Sequence, residues 1–170
     1  LGRGDQKTAA GFAQAALQLT ILFSLFVTLI SMLFTNPLLH FFALNDAETY
    51  NSARIYMRIT CGLILFSFLS QVLTGLFTAQ GDSKTPLKAN FFGLILNMIL
   101  DPLLVLGVGP FPRLEVVGAA VATVTAQIIV LLILVTEILR DHGEANVLRK
   151  IRLLSRPDII CVKGVFRIGV

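Results

Sequence analysis

Long charge-free stretches alternate with short polar segments along the whole chain. Thr8 to Asn45, Ile59 to Gly81 and Val116 to Thr136 contain no Asp, Glu, Lys or Arg, and the stretch between Lys88 and Arg113 contains only Asp101. Each is long enough to cross a hydrocarbon core that takes about 20 helical residues. The pattern predicts an all-α, polytopic membrane helix bundle with spans at about 10–34, 52–80, 86–108 and 116–139. Residues 140–170 are expected to form a basic cytoplasmic linker and the start of another helix.

Polar residues inside these spans are not scattered. Gln14, Gln18, Thr28, Ser31 and Thr35 fall on one side of the first span, and Asn36-Pro37 is expected to end it, because the residue before a proline disfavours helix. Thr60, Ser67, Gln71, Thr74 and Thr78 make a narrow stripe on the second. Such a stripe serves either interhelical hydrogen bonding or the lining of a cavity. On the third span Asn90, Gly93, Asn97 and Asp101 lie at i, i+3, i+7 and i+11, one face of a helix. The fourth opens with Gly118, Ala122 and Ala126 at four-residue spacing, which permits close approach of a neighbouring backbone, and Thr123 and Gln127 share one of its faces. The cavity-lining candidates are Asn90, Gln71 and Gln127.

Composition agrees with the pattern: of 170 residues 55% are apolar, 14% are charged and none is Trp. The formal charge of +4 raises nucleic acid as a partner, but the placement of the cations excludes it. Eleven of them, from Arg3 and Lys7 through Lys84, Lys88 and Arg140 to Arg167, fall on one side of four crossings, and Arg54, Arg58 and Arg113 fall on the other. By the positive-inside rule the first side is cytoplasmic, so both ends lie inside, and Arg54 and Arg58 read as interface anchors. The basic segment after Arg140 is expected to lie along the inner membrane surface, which makes lipid a partner. Cys61 and Cys161 belong at different depths and suggest neither a disulfide nor a metal site. The chain opens on Leu1 in a polar loop with no signal segment, and so reads as a piece of a larger protein.

Asp101 is the residue that needs an explanation. At mid-helix an Asp costs roughly 2.5–3.5 kcal/mol to insert, so such acids face a bundle interior or a wet cavity and handle ions or substrate. Counted from Pro86 at 1.5 Å per residue, Asn97 is roughly 16 Å deep and Asp101 roughly 22 Å. Pro102 then removes a backbone donor and frees a carbonyl for water, a cation or a hydroxyl. The bland alternative is a protonated, structural acid hydrogen-bonded to Asn97 or a neighbouring helix.

Several short segments carry a resemblance. Leu1-Gly2-Arg3-Gly4-Asp5, Tyr56-Met57-Arg58-Ile59, Gly81-Asp82-Ser83-Lys84-Thr85-Pro86, Asn97 through Asp101-Pro102 and Gly118-Ala119-Ala120-Val121-Ala122-Thr123 occur in an order that resembles the multidrug and toxic compound extrusion (MATE) family. The resemblance implies the third to sixth helices and the start of the seventh, that is, part of the N-terminal six-helix bundle of a twelve-helix antiporter. That family exports organic, often cationic, compounds in exchange for protons or sodium. An acid on the fifth helix resembles the branch named for the DNA-damage-inducible F protein. By that resemblance Asp101, Asn97 and Thr123 belong to a cation-coupling site, with a proton or sodium at Asp101. One departure is Glu115, where the family usually has glycine.

The expected function is therefore secondary antiport of drug-like small molecules. A lipid-linked oligosaccharide flippase of the same superfamily keeps the architecture and changes the cargo, but it calls for cavity Lys or Arg, and none falls mid-span. A scaffold subunit is the third reading. An enzyme needs clustered His, Cys, Asp or Glu, whereas His40 and His142 lie near opposite faces and no second acid accompanies Asp101. No phosphate-binding loop or other cofactor motif is present in the sequence, so no cofactor is expected.

Overall fold

A computed structural model describes residues 6–42, 46–108, 110, 113–140, 161 and 164. Five helices follow one another: α1 (Gln6–Phe41), α2 (Ala47–Gly62), α3 (Ile64–Ala79), α4 (Lys84–Leu106) and α5 (Glu115–Arg140). No strand occurs among the described residues. By length and composition α1, α4 and α5 can each cross a membrane, and α2 with α3, bent by 42° at their junction, can form a fourth crossing.

Two boundaries differ from those the sequence suggests. Asn36-Pro37 does not end the first helix: α1 continues through Pro37 to Phe41. Proline removes one N–H, whereas ending the helix there would expose several carbonyls where little water can reach them, so continuation costs less. The second span starts earlier, at Ala47, because the Asp46 carboxylate caps it, accepting from the Thr49 N–H at 2.8 Å and the Thr49 hydroxyl at 2.6 Å. It is also not continuous. Leu63, with φ −110° and ψ 15°, interrupts it between α2 and α3.

The break is held from α1. The Thr28 hydroxyl donates to the Cys61 carbonyl at 3.0 Å, satisfying one acceptor at the interruption. Gly62 gives Met32 of α1 room, since a Cβ there would stand 3.1 Å from the Met32 methyl. The Leu63 N–H in turn donates back to Ile59 at 3.2 Å.

α5 is the hub, packing on α2, α3 and most extensively on α4. Two stripes explain how one helix serves several neighbours. Gly118, Ala122, Ala126 and Val130 recur every fourth residue and are buried, and Gly118 and Val130 touch Leu104 and Gly93 of α4. Ala120 and Val124, also buried, lie on a second stripe that leads to Gln127, which bonds to α3. Where α3 ends and α4 begins, Leu17, Leu73, Phe77, Ala89, Val130 and Leu134 close into an apolar core. Cys161 is buried, with its Sγ 3.0 Å from where a Cβ on Gly11 of α1 would stand. Leu1 to Asp5 and most of 141–170, including the basic segment and the Ser155-Pro157-Asp158 helix start, lie outside the described residues.

Candidate functional site

Beyond the apolar core, α3, α4 and α5 part around a cavity of about 260 Å³. The three helices each present amides or hydroxyls to it: Ser67, Ser70 and Gln71 from α3, Asn90 and Asn97 from α4, Thr123 and Gln127 from α5. Gly93, Leu94, Ala126 and Val130 complete the wall, so no charged residue lines it among the described residues. The cavity opens because the α3–α4 contact is slight, while α4 and α5 are held together at Gly93 and Gly118.

Its polar walls are cross-linked. Ser67 donates its hydroxyl to Gln127 Oε1, and Ser70 donates to the Gln127 carbonyl at 3.4 Å, fixing α3 to α5. Asn90 Nδ2 donates to Thr74 Oγ1 at 3.4 Å, the one side-chain bond across the looser α3–α4 side among the described residues. Gln71 and Asn90 are exposed, at the rim, whereas Asn97, Thr123 and Gln127 are half-buried. All three cavity-lining candidates therefore line one cavity. Ser67 lay on the polar stripe of the second span; Ser70 lay off it, and only the bend at Leu63 and the packing on Gln127 reveal its role.

Asp101 lies one helical turn beyond Asn97 and is not in the cavity wall. Asn97 links it to Thr123. With one amide orientation Asn97 Nδ2 donates to Thr123 Oγ1 at 3.4 Å. With the amide turned over, Nδ2 donates to Asp101 Oδ2 at 3.3 Å and Oδ1 accepts from the Thr123 N–H at 3.3 Å, which matches donors to acceptors at both ends. Asp101 is half-buried, yet its Oδ1 is shielded from solvent and has no hydrogen-bond partner. A shielded carboxylate oxygen without a donor is costly. It is suited to accept a proton or coordinate a cation. Pro102, inside α4, cannot donate to the Met98 carbonyl, so a backbone acceptor is released one turn away.

Just before Gly118, Glu115 has φ +50°, in the left-handed region that glycine enters freely. Its carboxylate pairs with Arg113 Nε at 3.2 Å. The departure from the family's usual glycine thus falls on a position whose backbone suits glycine. Among the described residues no cluster of His, Cys, Asp and Glu could hold a metal.

The MatE family model matches residues 1–103. The chain belongs to the MatE family. It is 33% identical over 77% of its length to an FAD transporter of Shewanella oneidensis, of which it covers 29%. It is also 27% identical over 99% of its length to a probable multidrug resistance protein of Bacillus subtilis, of which it covers 36%. The chain thus spans about a third of the length of these curated relatives. In fold it matches an inward-facing multidrug resistance MATE family transporter of the MOP superfamily, with a TM-score of 0.77 at 20% identity, over 96% of this chain and 41% of that one. With its apolar helices, this makes the MatE chain a multi-pass membrane protein.

Proposed function

We propose that this MatE chain belongs to a secondary antiporter that exports organic, often cationic, compounds in exchange for protons or sodium. One observation carries the reading: Asp101, the only acid in its span, has a shielded, unpartnered oxygen and reaches the cavity through Asn97 and Thr123. Asp101 takes the coupling cation, and Asn97, whose amide donates to the carboxylate and accepts from the Thr123 N–H, links it to the cavity wall. Substrate occupies the uncharged cavity beyond, with Asn90, Gln71 and Gln127 as hydrogen-bonding groups. The relatives' names, an FAD transporter and a multidrug resistance protein, both support a small-molecule cargo. By the charge asymmetry, the ends at Lys84 and Arg140 face the cytoplasm.

The test is Asp101→Asn in the full-length protein reconstituted in liposomes. The substitution keeps shape and hydrogen bonding and removes the ionisable group. Uphill export driven by a proton or sodium gradient should fall to background, with the thermal unfolding midpoint little changed. Export at the wild-type rate would make Asp101 a structural acid. Proton release on substrate addition, measured with and without sodium, identifies the coupling ion.

A further inference from the structure

A second cavity, of about 440 Å³, lies where the far ends of α1 and α5 meet α2, at the opposite end of the bundle from Lys84 and Arg140. Leu39 of α1, Ala53, Met57 and Cys61 of α2 and Val116 of α5 line it, and its surface is almost wholly apolar. The volume falls within the roughly 300–1,000 Å³ usual for small-molecule sites. Tyr56 and Thr60 also line it but expose almost no polar surface to it, the Thr60 hydroxyl being bonded to the Tyr56 carbonyl.

Arg54 and Arg58 occupy the helix positions next to Ala53 and Met57, one residue on from the cavity lining. Arg54 is half-buried, and its Nε is shielded with no hydrogen-bond partner. At i and i+4 the two cations repel each other. The acids nearby are otherwise engaged: Asp46 caps α2 on Thr49, and Glu115 is paired with Arg113. Glu48, six positions before Arg54, is not at a spacing that pairs on a helix. The charge-free run begins at Ile59, so both arginines fall at the level where lipid headgroups begin and Cys61 falls just inside the hydrocarbon. Two guanidinium groups with no ion pair among the described residues, flanking an apolar cavity at that depth, complement one ligand chemistry, a phosphate carrying a hydrocarbon tail.

We propose that this cavity binds an anionic phospholipid of the surrounding bilayer, with its phosphate on Arg54 and Arg58 and an acyl chain between α1, α2 and α5. Guanidinium forks match phosphate oxygens in geometry and charge. The lipid holds the far ends of three helices together and offsets the repulsion between the arginines. This site is separate from Asp101 and does not depend on the transport reading.

Native mass spectrometry of the full-length protein, titrated with phosphatidylglycerol or phosphatidylcholine, tests it. The wild type should retain phosphatidylglycerol about tenfold better, and Arg54→Gln/Arg58→Gln should erase that preference. Equal retention of the two lipids by the wild type, or a preference that survives in the double variant, overturns the proposal. A readout on the wild type alone covers a variant that does not fold. Alkylation of Cys61 by an apolar maleimide, followed by peptide mapping, should slow several-fold in phosphatidylglycerol relative to phosphatidylcholine. Equal rates would show that headgroup charge does not decide what fills the cavity, and would overturn the proposal.

Discussion

The α4–α5 hairpin is closed in two different ways along its length. Towards Lys84 and Arg140 it joins α1 and α3 in an apolar core in which Leu134 is fully buried and Ala89 is nearly so. Towards Leu106 and Glu115 it is held by bare backbone contact at Gly118, and between the two contacts lie Asn97 and Thr123, bonded to each other, and Asp101, whose Oδ1 has no partner. In lipid, apolar side chains gain little from leaving solvent, so close packing and backbone approach hold helices together. The sealed end provides shape complementarity. The end packed on glycine leaves room for polar groups between the helices.

Substituting Gly118 should be the largest perturbation. A Cβ there would stand 2.6 Å from both the carbonyl carbon and oxygen of Leu104, atoms that cannot rotate away. Gly118→Val should force α4 and α5 apart and abolish the monodisperse full-length protein in size-exclusion chromatography. Gly93 makes the informative contrast. Its Cβ would stand 2.3 Å from Val130 Cγ2, a side-chain atom. Gly93→Ala should therefore destabilise by about 1–3 kcal/mol, and Val130→Ala in the same molecule should restore most of the loss. Rescue of Gly118→Val by trimming a side chain, or no rescue at Gly93, would show that the two contacts are not of different kinds.

At the sealed end, Leu134→Ala should cost about 2 kcal/mol in unfolding free energy, the low end of the range for soluble cores, because lipid is as apolar as leucine. Export per folded molecule should be unchanged. Asn97→Ala should do the reverse, costing about 0.6 kcal/mol or less as single interhelical hydrogen bonds in membranes do, while lowering cation-driven export. Equal effects of the two variants on both readouts would erase the distinction between a packing end and a functional end.

How much of this the sequence made legible differs between the two ends. The spacing of Asn90, Gly93 and Asn97 places them on one face, and the structure turns that face to the cavity, because side-chain direction along a helix follows from periodicity alone. The small residues Gly118, Ala122 and Ala126 likewise predict a close neighbour. Periodicity cannot say which neighbour, so the bonds from Ser67 and Ser70 to Gln127 were out of reach. The break at Leu63 was hidden for a similar reason: Cys61-Gly62-Leu63-Ile64 is locally apolar, and the hydroxyl that supports the interruption comes from Thr28, on another helix. Pro37 misled in the opposite sense, because a local turn preference gave way to the need to keep backbone groups paired.

The most local expected effect, on stability alone, lies at the mouth of the sealed end, where Gly81, at φ +90°, turns the chain into α4. Asp82 Oδ1 accepts from the N–H groups of Lys84 and Thr85, each at 3.1 Å, satisfying donors that the helix start leaves unpaired. Hydrogen bonds from the Thr85 side chain and backbone, opposed by burial and helped by weaker contributions from the Lys84 backbone and the Lys88 charge, hold the Asp82 carboxyl below its ordinary value. A folded pKa below the unfolded one means that the unfolded chain takes up the proton first, so the stabilisation is complete above the unfolded value and is lost as pH falls through the folded value. Asp82→Ala should therefore lower stability by about 1 kcal/mol or less near neutral pH, as loss of a side chain that accepts from first-turn N–H groups does. The gap between variant and wild type should stay constant down to about pH 5 and close below the ordinary Asp pKa of about 3.9. Thermal unfolding midpoints of the full-length protein across that range measure it. A gap that widens in acid would show that Asp82 is stabilised in its protonated form, and that the helix start depends on something other than the capping carboxylate.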